Sequence, residues 1–216
     1  MTTIALIGPH GAGKTTLGRL LARALRVPFH PEIGRALRER ALRRDPAAHA
    51  AAHQPTFDDE VIGTELSRDI GRTWGRGRVV ESWHPGNFAY AALRNPEVVA
   101  RWWRTCATRV EAERRLGEGI LVLPLRFRRD TARNRLSEPG PDPETTLDFF
   151  AAVADQAAAF AHRLPVLVLP DLWTDDVPPQ QLLAQAMQLL APHAPLRAPS
   201  SSIRQGSWTL PGRAIA

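Results

Sequence analysis

The sequence is poor in two common residue types, since its 216 residues include one cysteine and one lysine. The single cysteine, Cys106, excludes an intramolecular disulfide. No apolar run approaches the ~20 residues of a membrane-spanning helix. The opening residues, MTTIALIG, have neither the basic region nor the long apolar region of a signal peptide. We therefore expect a cytoplasmic protein that does not interact with a membrane.

The positive charge of the chain is carried almost wholly by arginine, because Lys14 is the only lysine among 28 basic residues. A net charge of +6 and a pI near 11 would suit a nucleic-acid partner. Three of the arginines lie in residues 192–216, which contain no acidic residue, and this leaves about +3 for residues 1–191. Nucleic acid is therefore kept as a partner but is not the favoured one.

Short apolar runs alternate with segments of helical periodicity along most of the chain. The runs lack a strict alternation of apolar and polar residues, which is typical of strands buried on both faces of a parallel sheet. Strands that alternate with helices predict an α/β domain with right-handed crossovers, here over residues 1–191. Residues 192–216, rich in Pro and Ser, are predicted to form a flexible tail. The predicted strands are residues 2–7, 27–30, 79–82, 120–125 and 166–169.

The first predicted strand leads directly into a phosphate-binding motif. The stretch GPHGAGKT fits G-x-x-x-x-G-K-[ST] in full, and an amphipathic helix follows it. Its glycines allow backbone N–H groups to converge on phosphate oxygens, Lys14 reaches the β- and γ-phosphates, and Thr15 ligates Mg²⁺. The planar fork of an arginine does not replace a compact ammonium here, which accounts for the single lysine. The residues predicted to bind a nucleoside triphosphate are Gly8, Pro9, His10, Gly11, Ala12, Gly13, Lys14, Thr15 and Thr16.

Other classes of phosphate-loop protein lack support elsewhere in the chain. A GTPase would show an N-K-x-D motif, and a helicase-like or AAA-type ATPase would show a strand that ends in Asp-Glu; neither is present. A kinase needs a carboxylate beside the γ-phosphate and cations from a lid. Glu32 and Glu81 follow the second and third strands, which flank the phosphate strand in a 2-3-1-4-5 sheet. This placement favours a kinase.

The chain resembles the P-loop nucleoside and nucleotide kinases, above all the ribosylnicotinamide kinase domain and more weakly the thymidylate and deoxynucleoside kinases. The resemblance runs from residue 3 to about residue 191, in GPHGAGKTT, PEIGRALRE, FDDEVIGTELSRD and VVESWHPGNFAY. It implies a three-layer fold with a five-stranded parallel sheet in the order 2-3-1-4-5. It also implies that Glu32 is the general base or hydroxyl anchor, that Arg35 holds the acceptor and that Glu81 supports Mg²⁺. The chain departs from the deoxynucleoside kinases, which carry an arginine after the acid, and it lacks the Asp-Arg pair of thymidylate kinases.

A cluster of arginines follows the fourth predicted strand, where these kinases place an arginine-bearing lid. The predicted lid covers residues 126–142, RFRRDTARNRLSEPGPD. Arg129 and Arg133 are four residues apart and would share a helical face. Arg133 is the first choice for a catalytic arginine, and Arg129 for a further contact with the triphosphate. The alternative is a solvated basic helix.

The acceptor site is predicted around the residues that follow Glu81. Trp83, His84 and Asn87 could contact an acceptor, and a flat acceptor could stack on an aromatic ring. An aromatic core between helices is the alternative for most rings of this region. The aromatic residues concerned are Trp74, Trp83, Phe88, Tyr90, Trp102 and Trp103.

These observations together predict a kinase that uses ATP and Mg²⁺ and moves the γ-phosphate to a hydroxyl or phosphate of a small, nucleoside-like acceptor. Two alternatives stay open. One is a kinase that acts on nucleic-acid ends or modified bases, and the other is an ATP-binding accessory or regulatory protein. A homodimer is compatible with the sequence.

Overall fold

A computed structural model describes residues 2–44, 55–71, 77–131 and 142–193. In these ranges the chain forms a parallel sheet in the order β2-β3-β1-β4-β5, with β6 paired to β4. This arrangement confirms the predicted fold class and strand order. The strands are β1 (Thr2–Ile7), β2 (Phe29–His30), β3 (Arg78–Glu81), β4 (Gly119–Arg126), β5 (Leu167–Val168) and β6 (Leu172–Trp173).

Helices connect the strands and cover both faces of the sheet. Ile4 and Leu6 of β1 pack on one face together with Leu17 of the first helix. Ala5 and Ile7 point to the other face, because successive side chains of a strand alternate. The central strand is therefore buried on both sides between two helical layers. The helices are α1 (Lys14–Leu25), α2 (Ile33–Arg44), α3 (Pro55–Ile70), α4 (Trp83–Arg94), α5 (Pro96–Arg115), α6 (Pro143–His162) and α7 (Pro179–Leu190).

The two outer strands are shorter than the sequence predicts. The second predicted strand, residues 27–30, reduces to Phe29–His30, and the fifth, residues 166–169, reduces to Leu167–Val168. Pro28 directly precedes β2 and lacks the backbone N–H that a longer ladder requires. The strand Leu172–Trp173 was not predicted, and it pairs with the end of β4.

Several predicted features lie outside the described residues. They include most of the predicted lid with Arg133, the tail from residue 194 onward, and Trp74. The division into a domain over 1–191 and a tail therefore stays a prediction. None of the helices within the described ranges has both the length and the hydropathy that crossing a bilayer requires.

Candidate phosphate-transfer site

The phosphate loop joins β1 to α1 and depends on its glycines. Gly8 has φ +135° and Gly13 has φ +81°, which are backbone conformations that other residues rarely adopt. A Cβ on Gly8 would lie 2.3 Å from the carbonyl oxygen of Leu125 in β4. The loop thus follows β4 so closely that only glycine fits at its first position. Gly13 precedes α1 directly, so the N-terminus of that helix faces the loop.

Lys14 lies inside this loop and is 4% exposed. Its Nζ donates hydrogen bonds to the carbonyl oxygens of Gly8 at 3.0 Å and Pro9 at 2.8 Å. Burial lowers the pKa of Lys14 below its ordinary value, although the carboxylates of Glu32 and Glu81 act in the opposite direction. Both acids chosen from the sequence therefore act electrostatically on the same ammonium group.

Thr15 and Glu81 are in direct contact at the mouth of the loop. The Thr15 hydroxyl lies 2.8 Å and 2.9 Å from the two carboxylate oxygens of Glu81, which is 1% exposed. Arg35 of α2 donates to Thr15 Oγ1 at 3.1 Å and places its NH2 group 3.6 Å from Glu81 Oε1. A hydroxyl and a carboxylate side by side are hard oxygen donors of the kind that Mg²⁺ prefers. The side chains present here fit a Mg²⁺ ion.

Glu32 lies at the end of β2 and borders a small cleft between α2, α3 and α4. The carboxylate is largely buried, and its Oε1 is 3.6 Å from NH2 of Arg38. The cleft has a volume of about 20 Å³, which is room for about one water molecule. Asn87, predicted as an acceptor contact, does line it. The other lining residues are Gly34, Arg38, Phe57, Asp58, Val61, Tyr90 and Arg94.

The sequence reasoning missed most residues of this cleft. Asp58 accepts hydrogen bonds from Arg94 at 2.5 Å and from Asn95 at 2.6 Å. Arg38 lies three residues after Arg35 in α2, so helical spacing alone predicts that the two side chains share a face. Asp58 and Arg94 are 36 residues apart, and no local pattern connects them.

Trp83 and His84, predicted as acceptor contacts, do not line the cleft beside Glu32, and both side chains are fully buried. Trp83 Nε1 and His84 Nε2 each lie 2.9 Å from Oδ2 of Asp69, in the interior of the protein. Burial by itself lowers the pKa of His84, but the hydrogen bond and the charge of Asp69 raise it to about 10. Burial by itself raises the pKa of Asp69, and His84 and Arg78 hold it below its ordinary value. An acid on the apolar face of a helix indicates a buried carboxylate, and Asp69 has this position in the FDDEVIGTELSRD helix.

Most of the aromatic cluster forms a core, as the alternative interpretation predicted. Phe88 packs against Trp103 and Phe160 with ring centroids 5.3 Å and 5.6 Å away. Trp102 donates to Asp59 at 2.7 Å. Among the five of these aromatic residues that the structure describes, only Tyr90 lines the cleft beside Glu32.

Arg129, the arginine predicted to contact the triphosphate, lies just after β4 and is bound to the surface of α6. It donates to Glu144 at 2.7 Å and to Asp148 at 2.5 Å. It also borders a second cleft of about 210 Å³ on the side of Pro9. The other residues of that cleft are Arg126, Phe127, Leu147, Phe150, Ala151, Ala154, Asp155, Asp171 and Trp173.

A parallel sheet in this order, with a phosphate loop after its central strand, is the P-loop kinase fold. Residues 3–124 match the family described as an AAA domain, and the chain belongs to that family. The chain lacks the strand-terminal Asp-Glu pair expected of an AAA-type ATPase, since Ser82 follows Glu81. That departure does not exclude the chain from the family.

Known proteins share a short stretch of sequence or the fold with this chain. Shikimate kinase of Pseudomonas fluorescens (strain Pf0-1) is 62% identical over 29 residues, which are 13% of this chain and 17% of that kinase. The YorR protein of Bacillus subtilis, solved in complex with phosphorylated GDP, has a TM-score of 0.55 at 13% identity, over 89% of this chain and 98% of that chain. The NadR protein, solved in complex with NR, has a TM-score of 0.53 at 19% identity, over 88% of this chain and 52% of that chain. Likenesses at these identities establish the fold.

Proposed function

We propose that this protein is a kinase that uses ATP and Mg²⁺ to transfer the γ-phosphate to a hydroxyl or phosphate group of a small acceptor. The observation that carries the proposal is the convergence of the phosphate loop with two acids from neighbouring strands. Glu81 contacts Thr15 directly, and both Glu32 and Glu81 act on buried Lys14. A motif for phosphate binding alone would not require the second acid beside a separate cleft.

Each side chain has a definite task in such a transfer. Backbone N–H groups of the loop, the N-terminus of α1 and Lys14 bind the phosphates. Thr15 and Glu81 would hold Mg²⁺, which neutralises phosphate charge when it is bound. Arg35 places its NH2 group 3.6 Å from Glu81 Oε1 and can neutralise charge on the moving phosphoryl group.

Glu32 is the proposed general base for a hydroxyl acceptor. It takes the hydroxyl proton as the acceptor oxygen bonds to the γ-phosphorus and the bond to the β–γ bridging oxygen breaks. The guanidinium NH2 of Arg38 lies 3.6 Å from Oε1 of this carboxylate. For a phosphate acceptor the same carboxylate would remove no proton and would accept a hydrogen bond from a hydroxyl elsewhere on the acceptor.

A nucleoside-like acceptor is supported by the mixture of groups around the cleft. Glu32 and Asn87 offer hydrogen-bonding groups, and Tyr90 offers an aromatic ring. YorR and NadR, which share the fold, were solved in complex with phosphorylated GDP and with NR. The cleft of about 20 Å³ must widen to admit any such acceptor.

The second cleft is the proposed site for the base of ATP. It begins at Pro9 of the phosphate loop and is lined by Phe127, Phe150 and Trp173. Aromatic rings around a volume of about 210 Å³ suit a flat base. Arg129 at its border can reach the triphosphate only if it leaves Glu144 and Asp148.

An ATP-binding accessory protein is the second candidate function. The observation in its favour is the small volume of the cleft beside Glu32, which holds about one water molecule. Such a protein would bind ATP and hydrolyse it slowly, and it would transfer no phosphate to an acceptor. Substitution of Glu32 would then leave its activity unchanged.

The test is phosphoryl transfer from γ-labelled ATP with Mg²⁺ across nucleosides, nucleotides, aminoglycoside-like alcohols and short oligonucleotides. The Lys14→Ala variant serves as the blank, because it lacks the ammonium inside the loop. Label on one small acceptor supports the kinase and identifies the acceptor. Label on inorganic phosphate alone favours the accessory protein, and label on oligonucleotides alone favours a kinase acting on nucleic-acid ends.

A further inference from the structure

A buried carboxylate outside the phosphate site contacts three side chains around β3. Asp69 of α3 accepts a hydrogen bond from Arg78 NH1 at 2.5 Å through Oδ1. Its Oδ2 lies 2.9 Å from Trp83 Nε1 and 2.9 Å from His84 Nε2. Asp69 and its three partners are all at most 3% exposed.

The partners of Asp69 lie at both ends of one short strand. Arg78 is the first residue of β3, and Trp83 and His84 begin the helix that follows its last residue, Glu81. A single carboxylate of α3 therefore ties together the two ends of the strand that carries the proposed Mg²⁺ ligand. Arg109 of α5 in turn donates to the backbone carbonyl of Asp69 at 2.9 Å, which anchors α3 at this point.

The backbone between Glu81 and α4 is strained. Ser82 has φ +66° and ψ −55°, and Trp83 has φ +48°, although neither is glycine. The Ser82 angles are close to those of a classic γ-turn, which is rare. Such conformations persist only where the surrounding structure holds them, and they are concentrated at functional sites.

Two contacts hold this turn from opposite sides. The Ser82 N–H donates to the carbonyl oxygen of Leu6 at 2.8 Å, which fixes the turn to β1. Asp69 holds the indole and the imidazole that follow. If the hydrogen bond between Trp83 and Asp69 were lost, the backbone of Ser82 and Trp83 could relax toward ordinary φ and ψ values. Glu81 directly precedes these two residues, so its carboxylate would shift as well.

We propose that Asp69 is a positioning residue that holds the Ser82–Trp83 turn in its strained form and thereby keeps the Glu81 carboxylate against Thr15. This inference rests on the proposed function, in which Glu81 is a ligand of Mg²⁺. Asp69 itself touches neither the phosphate loop nor the cleft beside Glu32 in the described contacts. Its effect is exerted through Trp83.

The experiment measures how much Mg²⁺ strengthens ATP binding, by calorimetry with Mg²⁺ and with EDTA. Loss of a residue that orients a metal ligand typically weakens metal binding about 10–100-fold. The gain from Mg²⁺ is the ratio of the ATP affinity measured with Mg²⁺ to the affinity measured in EDTA. We expect Asp69→Asn to reduce this gain by about tenfold and to leave the ATP affinity in EDTA unchanged. Trp83→Phe, which removes the N–H donor together with part of the buried ring, should reduce the gain from Mg²⁺ as well, and it tests the proposal if Asp69→Asn does not fold.

Rescue separates positioning from general stability. Glycine adopts positive φ without strain, so Ser82→Gly added to either variant should restore the gain from Mg²⁺. Leu190→Ala is the control, because it opens a cavity in the core under α7, away from the turn. It should lower stability and leave the gain unchanged.

The outcomes are distinct. A reduced gain that Ser82→Gly restores supports the proposal. An unreduced gain in a folded Trp83→Phe or Asp69→Asn variant overturns it, and so does an equal reduction in Leu190→Ala. Wild-type protein that binds ATP no better with Mg²⁺ overturns the proposed function itself, and the role of Asp69 is then refuted with it.

Discussion

Replacement of Gly8 by alanine should destabilise the protein far more than replacement of Gly13, although both glycines belong to the same loop and both have positive φ. A Cβ on Gly8 would lie 2.3 Å from the backbone oxygen of Leu125, whereas a Cβ on Gly13 meets nothing within 4 Å. Comparison of the two variants therefore separates the cost of backbone strain from the cost of the steric clash between the loop and β4.

The expected costs follow from these two terms. Gly13→Ala bears only the strain of a left-handed conformation, about 1–2 kcal/mol. Gly8→Ala bears strain at φ +135° of about 1–3 kcal/mol and, in addition, about 1–3 kcal/mol for overpacking. The contact is with backbone, so no side chain can turn away to relieve it. We expect the two variants to differ by about 2–3 kcal/mol.

Urea unfolding followed by circular dichroism measures this difference. With a slope of about 2 kcal/mol per molar urea, the midpoint of Gly8→Ala should lie about 1 M or more below that of Gly13→Ala. Equal midpoints for the two variants would refute the reasoning, since they would show that the loop does not follow β4 as closely as the structure indicates. Wild-type protein and Gly13→Ala provide the reference for strain alone.

Three further predictions concern single side chains. Glu32→Gln should lower turnover by about 10²-fold or more and leave ATP affinity in calorimetry unchanged, and turnover near that of wild type would exclude Glu32 as the base. The pKa of His84 is about 10 in the folded protein against an ordinary 6.5. Because the folded value is the higher one, the associated stability is complete below pH 6.5 and is lost as the pH rises to about 10. Unfolding free energies measured over that window should fall in wild type and stay flatter in His84→Gln; parallel curves would contradict the charged imidazole. Arg129→Ala should leave the unfolding midpoint unchanged, because its partners Glu144 and Asp148 are exposed, and should weaken ATP binding. Unchanged ATP affinity in this variant would remove Arg129 from the nucleotide site.

Sequence reasoning succeeded where the evidence was local. The phosphate motif is a run of consecutive residues, and its glycines have the positive φ values that the motif requires. The positions of Glu32 and Glu81 followed from the strand order, since parallel strands bring their carboxyl ends to one edge of the sheet. The sequence did not indicate where Trp83 and His84 lie, because a strained turn after Glu81 directs both side chains into the interior rather than toward the cleft.

Short-range patterns of residue type were enough to predict the fold class, the phosphate loop and the two acids. Which side chains surround those acids depends on how the helices pack in the folded domain. Asp58, Asn87 and Arg94 meet beside Glu32 because α3 and α4 pack together, and the periodicity of either helix alone does not specify that contact. The same packing brings Asp69 to Trp83. These contacts join residues that are distant in sequence. They depend on which helical faces are buried against each other across the whole domain, and a local sequence pattern does not specify this.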